Sequence, residues 1–319
     1  MTLPATVRWG FLGAGVVASR ALAPAVHSSD RAVLQVVASR DGERAARLQP
    51  TRVCDSYEAV CRAEDVDVVY ISLPNADHLR WVLPAIESGK HVLCEKPLGM
   101  NAAEVAQMEA ASLSTSARLV EAAWNRWHPR TRRVGELLAA VTEPLAMRAW
   151  FTFAGVPVGN YRLDPARGGG ALLDVGCYAV AAALIALGDT VVVEAADQNM
   201  GVTGADMTTT ATLTSLRGRA EVTASFELAE SQGWTIETPR LHLEVEGPSF
   251  TSWRETSRLR VVENGVERVE TFESCDAYRL MVDSVSDLAR GLDAWVLPLS
   301  TSLAVAKTLD HISAVARAE

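Results

Sequence analysis

Short apolar runs alternate with segments of helical spacing through the first part of the chain. Val7–Leu12, Val33–Ala38, Val66–Leu73, His91–Cys94 and Arg118–Ala122 are mostly apolar and rich in β-branched residues. This is the pattern of strands covered on both faces of a parallel sheet. Between them, Val16–His27, Asp55–Ala63, Leu79–Ser88 and Ala102–Ala111 read as helices. A strand–helix rhythm of this kind implies right-handed crossovers and a doubly wound α/β sheet.

The pattern changes after Trp124. A helix is predicted over Pro129–Val141, and Ala146–Phe153, Met207–Leu216, Arg219–Phe226, Arg240–Glu246 and Leu259–Val262 then alternate apolar and polar positions. Such alternation predicts half-buried antiparallel strands with one face left for solvent or a partner. Helices are expected from Ala171 onward and at Ala277–Gly291 and Thr301–Arg317, with Leu303, Ala306, Leu309 and Ile312 as core positions. Trp81, Trp234, Trp253 and Trp295 read as packing residues. The fold class is therefore α/β at the N-terminus, residues 1–125, followed by an α+β domain, residues 126–319, built on a large, mostly antiparallel open sheet. An open face of that size suits a homo-oligomer.

Composition narrows the function. At 319 residues and 49% hydrophobic content, the chain has material for about two cores. A net charge of -9 argues against a general nucleic-acid role, which needs a basic surface to neutralise phosphate. The apolar run Gly170–Gly188 carries Asp174 and is only marginally long for a membrane span, so it reads as a buried amphipathic helix. Met1–Thr6 shows no signal-peptide pattern. The five cysteines have no metal-ligand spacing, so no metal site is expected and reduced thiols in a cytoplasm are the plain reading.

The first strand runs directly into Gly13, Ala14, Gly15, Val16, Val17 and Ala18, a GxGxxA pattern. Gly13 permits a tight turn and Gly15 lets backbone approach a pyrophosphate. Ala18 lets the following helix sit close to the sheet, and the N–H groups of its first turn face the phosphates. The residues therefore predict a dinucleotide-binding Rossmann domain. At the end of the second strand stand Ser39 and Arg40, with Arg44 one turn on. A carboxylate there would favour NAD, whereas a hydroxyl and two guanidinium groups suit a 2′-phosphate, which favours NADP with NAD possible. Asp41 leaves open that Arg40 and Arg44 only solvate a helix start.

The stretch HVLCEKPL delivers Glu95, Lys96 and Pro97 to the carboxyl end of a strand, where open α/β sheets bind ligands. The bland alternative is an ordinary solvated pair. In GGGALLDVGCY, Asp174 and Tyr178 are four apart and share one helix face. Dipole placement of Asp174 and core packing of Tyr178 form the alternative there.

The combination of GAGVVA, YISLPNADH and GKHVLCEKPLGMNAAE resembles the glucose-fructose oxidoreductase, inositol dehydrogenase and MocA family of nicotinamide-dependent oxidoreductases. GGGALLDVGCY is similar to that family's second signature, whose Asp and later His or Tyr face the nicotinamide beside the EKP lysine. The resemblance implies cofactor contacts at Gly13, Gly15, Val16, Val17, Ser39, Arg40, Arg44, Leu73, Pro74, Asn75, His78, Glu95 and Lys96. It implies a substrate site of Lys96, Trp124, Arg126, Tyr161, Asp174 and Tyr178, with Lys96, Tyr178 and Asp174 catalytic. It also implies a cis peptide before Pro97 and dimers or tetramers paired through the C-terminal sheet. Tyr178 in place of His is similar to the branch of xylose dehydrogenases, dihydrodiol dehydrogenase and sugar 3-ketoreductases, and points away from cyclitols.

The expected activity is NADP-dependent hydride transfer at a secondary alcohol or ketone carbon of a sugar or sugar-like substrate. One proton must also move. Lys96 and Tyr178 both start near pKa 10, so either needs its neighbours to make it effective. Protonated Lys96 could favour a Tyr178 phenolate, or a desolvated Lys96 could take the proton itself. Asp174 would orient a substrate hydroxyl. The competing expectation is a non-catalytic NADP-binding sensor of the same fold, against which the joint presence of Lys96, Asp174 and Tyr178 argues.

Overall fold

A computed structural model describes residues 6–252 and 254–318. Trp253, and residues 1–5 of the stretch read for a signal peptide, lie outside them. The chain forms two compact units, 1–124 with 276–302 and 125–275 with 303–319.

The first unit holds a six-stranded parallel sheet of order β3-β2-β1-β4-β5-β6. Its strands are β1 (Val7–Leu12), β2 (Ala32–Ala38), β3 (Arg52–Cys54), β4 (Val68–Ile71), β5 (His91–Cys94) and β6 (Leu119–Glu121). The crossovers carry α1 (Ala23–Ser28), α2 (Gly42–Ala46), α3 (Tyr57–Arg62), α4 (His78–Glu87) and α5 (Ala102–Leu113). Register sets the functional edge: Leu12 pairs with Ala38 and Ile71, Ile71 with Cys94, and Cys94 with Glu121. The next residue of each strand, Gly13, Ser39, Ser72, Glu95 and Ala122, therefore lies on one carboxyl-terminal rim. The strand order reverses between β1 and β4, the place where such sheets bind ligands.

The predicted helix over Val16–His27 is present but not regular. A π turn, Ala18–Leu22, precedes α1, with Pro24 just after it. Pro24 has no N–H for the carbonyl four residues back and its ring crowds that carbonyl. The ladder shifts to a wider turn, in which the Ala23 N–H reaches the Ala18 carbonyl.

The second unit is built on an eight-stranded sheet, β14-β13-β12-β11-β7-β10-β9-β8. It begins with α6 (Pro129–Ala139), β7 (Leu145–Thr152) and α7 (Cys177–Leu187). Then follow β8 (Val192–Met200), β9 (Asp206–Ser215), β10 (Gly218–Ser225), β11 (Ser231–Glu237), β12 (Leu241–Val245), β13 (Ser257–Glu263) and β14 (Val266–Phe272). Only β7 and β10 pair in parallel. Leu145, Met147, Ala149, Ala220, Val222, Leu213, Trp234 and Ile236 point into one core with α7. The opposite face carries polar pairs such as Arg148 and Glu221, 3.1 Å apart.

α7 is not the amphipathic helix expected of this segment. Nine of its eleven residues are buried, the signature of a helix enclosed on all sides. Its alanines at 179, 182, 183 and 186 let neighbouring elements approach closely. The segment Pro165–Leu187 is long and apolar enough to span a membrane, yet 83% of its apolar window is buried inside the protein.

The chain then returns to the first unit as α8 (Ala277–Ala289), whose Ser286 Oγ accepts the indole N–H of buried Trp9 at 3.1 Å. The division expected at 125/126 gave all of 126–319 to the second domain, whereas 276–302 belong to the first unit. The reason is the apolar face of α8, where Met281, Val282 and Val285 are buried. α9 (Leu299–Ala316) carries Val305, Leu309 and Ile312 into the second core. Trp234 is buried as expected, but Trp295 is 42% exposed because it lies in the irregular stretch joining α8 to α9.

Candidate active site

On the first unit the rim is shaped by close backbone packing. Gly13 has φ +99°, and a Cβ there would sit 2.4 Å from the Ser72 carbonyl oxygen. Any side chain would have to push β1 and β4 apart, so Gly13 is required by the fold. At Gly15 a Cβ would meet nothing nearer than the Ser72 Oγ at 3.6 Å. Packing does not require Gly15, and its lack of a side chain leaves the backbone open to close approach there. Val16 is 64% exposed, and buried Ala18 anchors the helix behind it. A Gly13–Gly15 turn opening onto a helix N-terminus fits a dinucleotide pyrophosphate.

The cation cluster expected at the end of β2 is sorted by its hydrogen bonds. Asp41 caps α2, its Oδ1 accepting the Arg44 N–H at 3.0 Å, and Ser39 Oγ accepts the Asp41 N–H at 3.2 Å. Asp41 thus has a structural task. The Arg44 guanidinium donates to the Ala14 carbonyl at 3.0 Å, inside the glycine turn. Arg40 is exposed and its charge is felt by the Tyr57 hydroxyl. Ser39, Arg40 and Arg44 form a basic group on the rim, suited to an anion.

His78 begins α4, just after the loop that follows β4. It has no exposed surface. Its Nδ1 lies 3.0 Å from the Pro97 carbonyl and its Nε2 3.0 Å from the Leu73 carbonyl. Burial pulls its pKa down, with these carbonyls opposing. His78 thus lies between the loop after β4, which carries Leu73, Pro74 and buried Asn75, and the loop after β5, and its neutral ring donates its one N–H to one of the two carbonyls, the tautomer deciding which.

Glu95 and Lys96 are not a solvated pair. Glu95 is 9% exposed; its Oε1 accepts the Tyr70 hydroxyl at 2.7 Å and its Oε2 the Lys96 N–H at 3.3 Å. Burial raises the Glu95 pKa, and the Tyr70 hydrogen bond and Lys96 charge oppose that shift. The Lys96–Pro97 peptide is cis. Glu121 Oε1 accepts the Leu98 N–H at 3.1 Å and pins the far side of the turn. Lys96 itself is half-buried at the rim. Trp124 is 3% exposed, its ring stacked on Tyr278 with centroids 4.8 Å apart.

On the second unit, Asp174 and Tyr178 stand where the helix changes character. A π turn, Leu172–Gly176, leads into α7, and single π turns of this kind concentrate at functional sites. Asp174 is 8% exposed, and its Oδ2 accepts Arg162 Nε at 2.6 Å. Tyr178 packs beside Phe151 and Phe250, with ring centroids at 5.8 and 5.7 Å. Tyr161 lies under two guanidinium groups, Arg162 at 5.2 Å and Arg167 at 5.8 Å. Arg126 is half-buried in the turn Trp124–Trp127.

Several residues that build this region are not foreseen from the sequence. Asp206 on β9 accepts the Leu172 N–H at 2.8 Å and the Thr209 hydroxyl at 2.7 Å, and burial raises its pKa. Gly170, at φ +121°, makes room for it, since a Cβ there would fall 2.0 Å from Asp206 Oδ1. Arg130, 2% exposed, donates to the carbonyls of Glu246, Pro248 and Ser249 and so fixes the segment leading to Phe250. Burial holds its pKa down to about 10. The only sequence signal for Arg162 is its place beside Tyr161.

Residues 7–122 match the GFO_IDH_MocA oxidoreductase family with NAD-binding Rossmann fold, and residues 131–248 match the GFO/IDH/MocA C-terminal domain. The chain is 33% identical to D-xylose 1-dehydrogenase (NADP(+)) 2 of Haloferax volcanii over 95% of both chains. It is 35% identical to the dTDP-3,4-didehydro-2,6-dideoxy-alpha-D-glucose 3-reductase of Streptomyces antibioticus over 57% of both. Its fold is similar to that of a 3-ketoreductase from Actinomadura kijaniata solved with NADP and TDP-benzene, with TM-score 0.90 and 24% identity over 97% of this chain and 98% of that one. With both domains matched in order and a full-length relative at this identity, the chain belongs to the GFO/IDH/MocA oxidoreductase family.

Proposed function

We propose that this protein is an NADP-dependent oxidoreductase that moves hydride between nicotinamide and a secondary alcohol or ketone carbon of a sugar or sugar-like substrate. The observation that carries this reading is the seating of Lys96. It stands at the carboxyl end of β5 on a turn held by Glu95, Glu121 and His78, all of them buried. Three internal groups spent on the backbone around one rim lysine indicate a side chain whose position matters. NADP is supported by the basic group Ser39, Arg40 and Arg44 at the end of β2, where the neighbouring Asp41 is engaged in capping α2, and by the NADP-dependent relative. The cofactor, when bound, supplies or accepts the hydride.

The chain's own residues handle the remaining tasks. Gly13 and Gly15, with the helix start at Val16 and Val17, offer backbone N–H groups to the pyrophosphate. Leu73, Pro74 and Asn75 form the loop wall beyond β4. Tyr178 is assigned the substrate proton. Its ring is held by Phe151 and Phe250, and the Arg162–Asp174 pair lies one turn away. Lys96 supplies a positive charge that stabilises a developing alkoxide. Asp174 accepts a hydrogen bond from a substrate hydroxyl, and Trp124, Arg126 and Tyr161 complete substrate recognition. Self-association belongs to the same reading, through the exposed face of the eight-stranded sheet, where Arg148, Trp150, Thr223 and Leu228 line a groove of about 480 Å³.

The test is an NADPH fluorescence titration followed by absorbance assays with aldoses, including D-xylose, nucleotide-linked keto sugars and dihydrodiols. Turnover with NADP preferred over NAD is expected. Tight NADPH binding without turnover on any of these would favour a sensor and overturn the assignment.

A further inference from the structure

We propose that Arg162 is a positioning residue for this chemistry: paired with Asp174, it fixes that carboxylate and balances its charge so that Tyr178 can exchange a proton. The inference rests on the reading of Tyr178 as proton carrier. Arg162 is not a loosely attached surface arginine. Its backbone N–H is held by Asn160 Oδ1 at 3.0 Å, and its carbonyl accepts the Gly170 N–H at 2.8 Å. Gly169 packs so tightly on this turn that a Cβ would fall 2.5 Å from the Arg162 carbonyl oxygen. The turn bearing Arg162 is thus sewn to the start of the helix bearing Asp174 and Tyr178.

The side chain continues the same geometry. Its Nε–Oδ2 distance to Asp174 is 2.6 Å, and its guanidinium lies over the Tyr161 ring. Asp174 keeps only 10% of its side chain exposed. A carboxylate so enclosed, one turn from a phenol, would by its own charge oppose loss of the phenolic proton. Arg162 opposes that field. Burial acts to lower the Arg162 pKa, but Asp174, Tyr161 and the Tyr178 hydroxyl reverse the effect, so the guanidinium is coupled to Tyr178 as well as to its ion-pair partner. The rings flanking Tyr178, Phe151 and Phe250, bring no charge. Among the described residues of the second unit, the other titratable groups around this turn include Tyr161, Asp164, Arg167, Cys177 and Asp206.

The arrangement makes a signed prediction that simple structural support does not. Arg162→Met removes the cation held 2.6 Å from Asp174 and should raise the Tyr178 pKa by about one unit. Asp174→Asn leaves Arg162 uncompensated and should lower it by a similar amount, the double variant should return close to wild type, and Arg162→Lys should restore most of the charge effect. The readout is the tyrosinate ultraviolet band of the full-length protein, titrated without substrate, with Tyr178→Phe subtracted to isolate Tyr178 from the other tyrosines. The pH profile of turnover is the second readout. Opposite shifts in the two single variants support the inference. Shifts of the same sign, or none, overturn it, and if Arg162→Met fails to fold, Asp174→Asn and Arg162→Lys still decide. Opposite shifts with no turnover on any sugar would leave this coupling standing while the enzyme reading falls.

Discussion

Gly13 and Gly15 stand two residues apart in one turn, and the structure gives them different tasks that substitution can separate. In Gly13→Ala the new methyl meets the Ser72 carbonyl at 2.4 Å, on backbone that already has φ +99°. A side chain held in that region costs about 1–3 kcal/mol, and relief of the clash must move β1 against β4. A total near 3 kcal/mol lowers Tm by roughly 6 °C in a protein of this size. Gly15→Ala meets only the Ser72 Oγ at 3.6 Å, an ordinary contact, so Tm should stay within about 1 °C. Its methyl instead occupies the space that lets a pyrophosphate reach the backbone. A tenfold or greater loss of NADPH affinity follows, about 1.4 kcal/mol. The assays are a thermal melt without cofactor and a fluorescence titration with NADPH. A Gly15→Ala protein that melts normally and binds NADPH as well as wild type would refute the placement of the phosphates at this turn. A Gly13→Ala protein of wild-type Tm would refute the packing argument.

Three further outcomes are expected. Arg40→Ala should reduce the preference for NADP over NAD by about tenfold or more, measured as a ratio of kcat/KM values; an unchanged ratio would remove Arg40 from the phosphate site. His128, 2% exposed, has its pKa lowered to about 4, chiefly by burial and then by the Arg130 charge. A depressed histidine pKa contributes stability that is present above the ordinary value near 6.5 and is lost as pH falls through about 4. The loss is about 2–3 kcal/mol, and His128→Asn, which keeps a cap for α6, should flatten that part of the stability profile in denaturant titrations. Asp206→Ala leaves the Leu172 N–H without its acceptor and removes the bond donated by the Thr209 hydroxyl, which still accepts from Gln198, so it should destabilise the protein by about 2–4 kcal/mol in the same titrations; a change below 1 kcal/mol would show that the π turn does not depend on this cap.

Five of the six strands of the parallel sheet are legible in the sequence because they are covered on both faces and read as apolar runs, as in Val68–Ile71, where all four residues are buried, whereas the short, mostly exposed edge strand β3 is not. The second sheet is legible only in part. β8 and β14 are its edges, and their mostly exposed residues, Val192, Glu194, Val266 and Val269 among them, carry no clear alternation. β11 is internal, but Gly233 interrupts its pattern. That glycine lies against Trp150, where a Cβ would come within 2.4 Å of the ring, a reason visible only in three dimensions. α8 has a helical pattern, yet nothing in that pattern says which core receives its apolar face.

The candidate site divides in the same way. Turn glycines and the EKP rim are local features, so the chain displays them directly. The setting of each polar group is not local. His78 and Glu95 stand in motif positions that suggest ligand contact, while their hydrogen bonds are spent on Leu73, Pro97, Tyr70 and the Lys96 backbone. Asp174 pairs with Arg162 across an aperiodic loop, and its helix is capped by Asp206 from a strand more than thirty residues on. Spacing rules reach one or two turns of helix and do not extend to contacts of this kind.

The central claim is that Lys96 serves the chemical step rather than cofactor retention. The direct measurement is single-turnover hydride transfer in Lys96→Ala at saturating NADP, alongside its NADPH dissociation constant. The account predicts a rate reduced by roughly 10²–10⁴ with affinity within a few fold of wild type. Wild-type single-turnover rates in Lys96→Ala would contradict it.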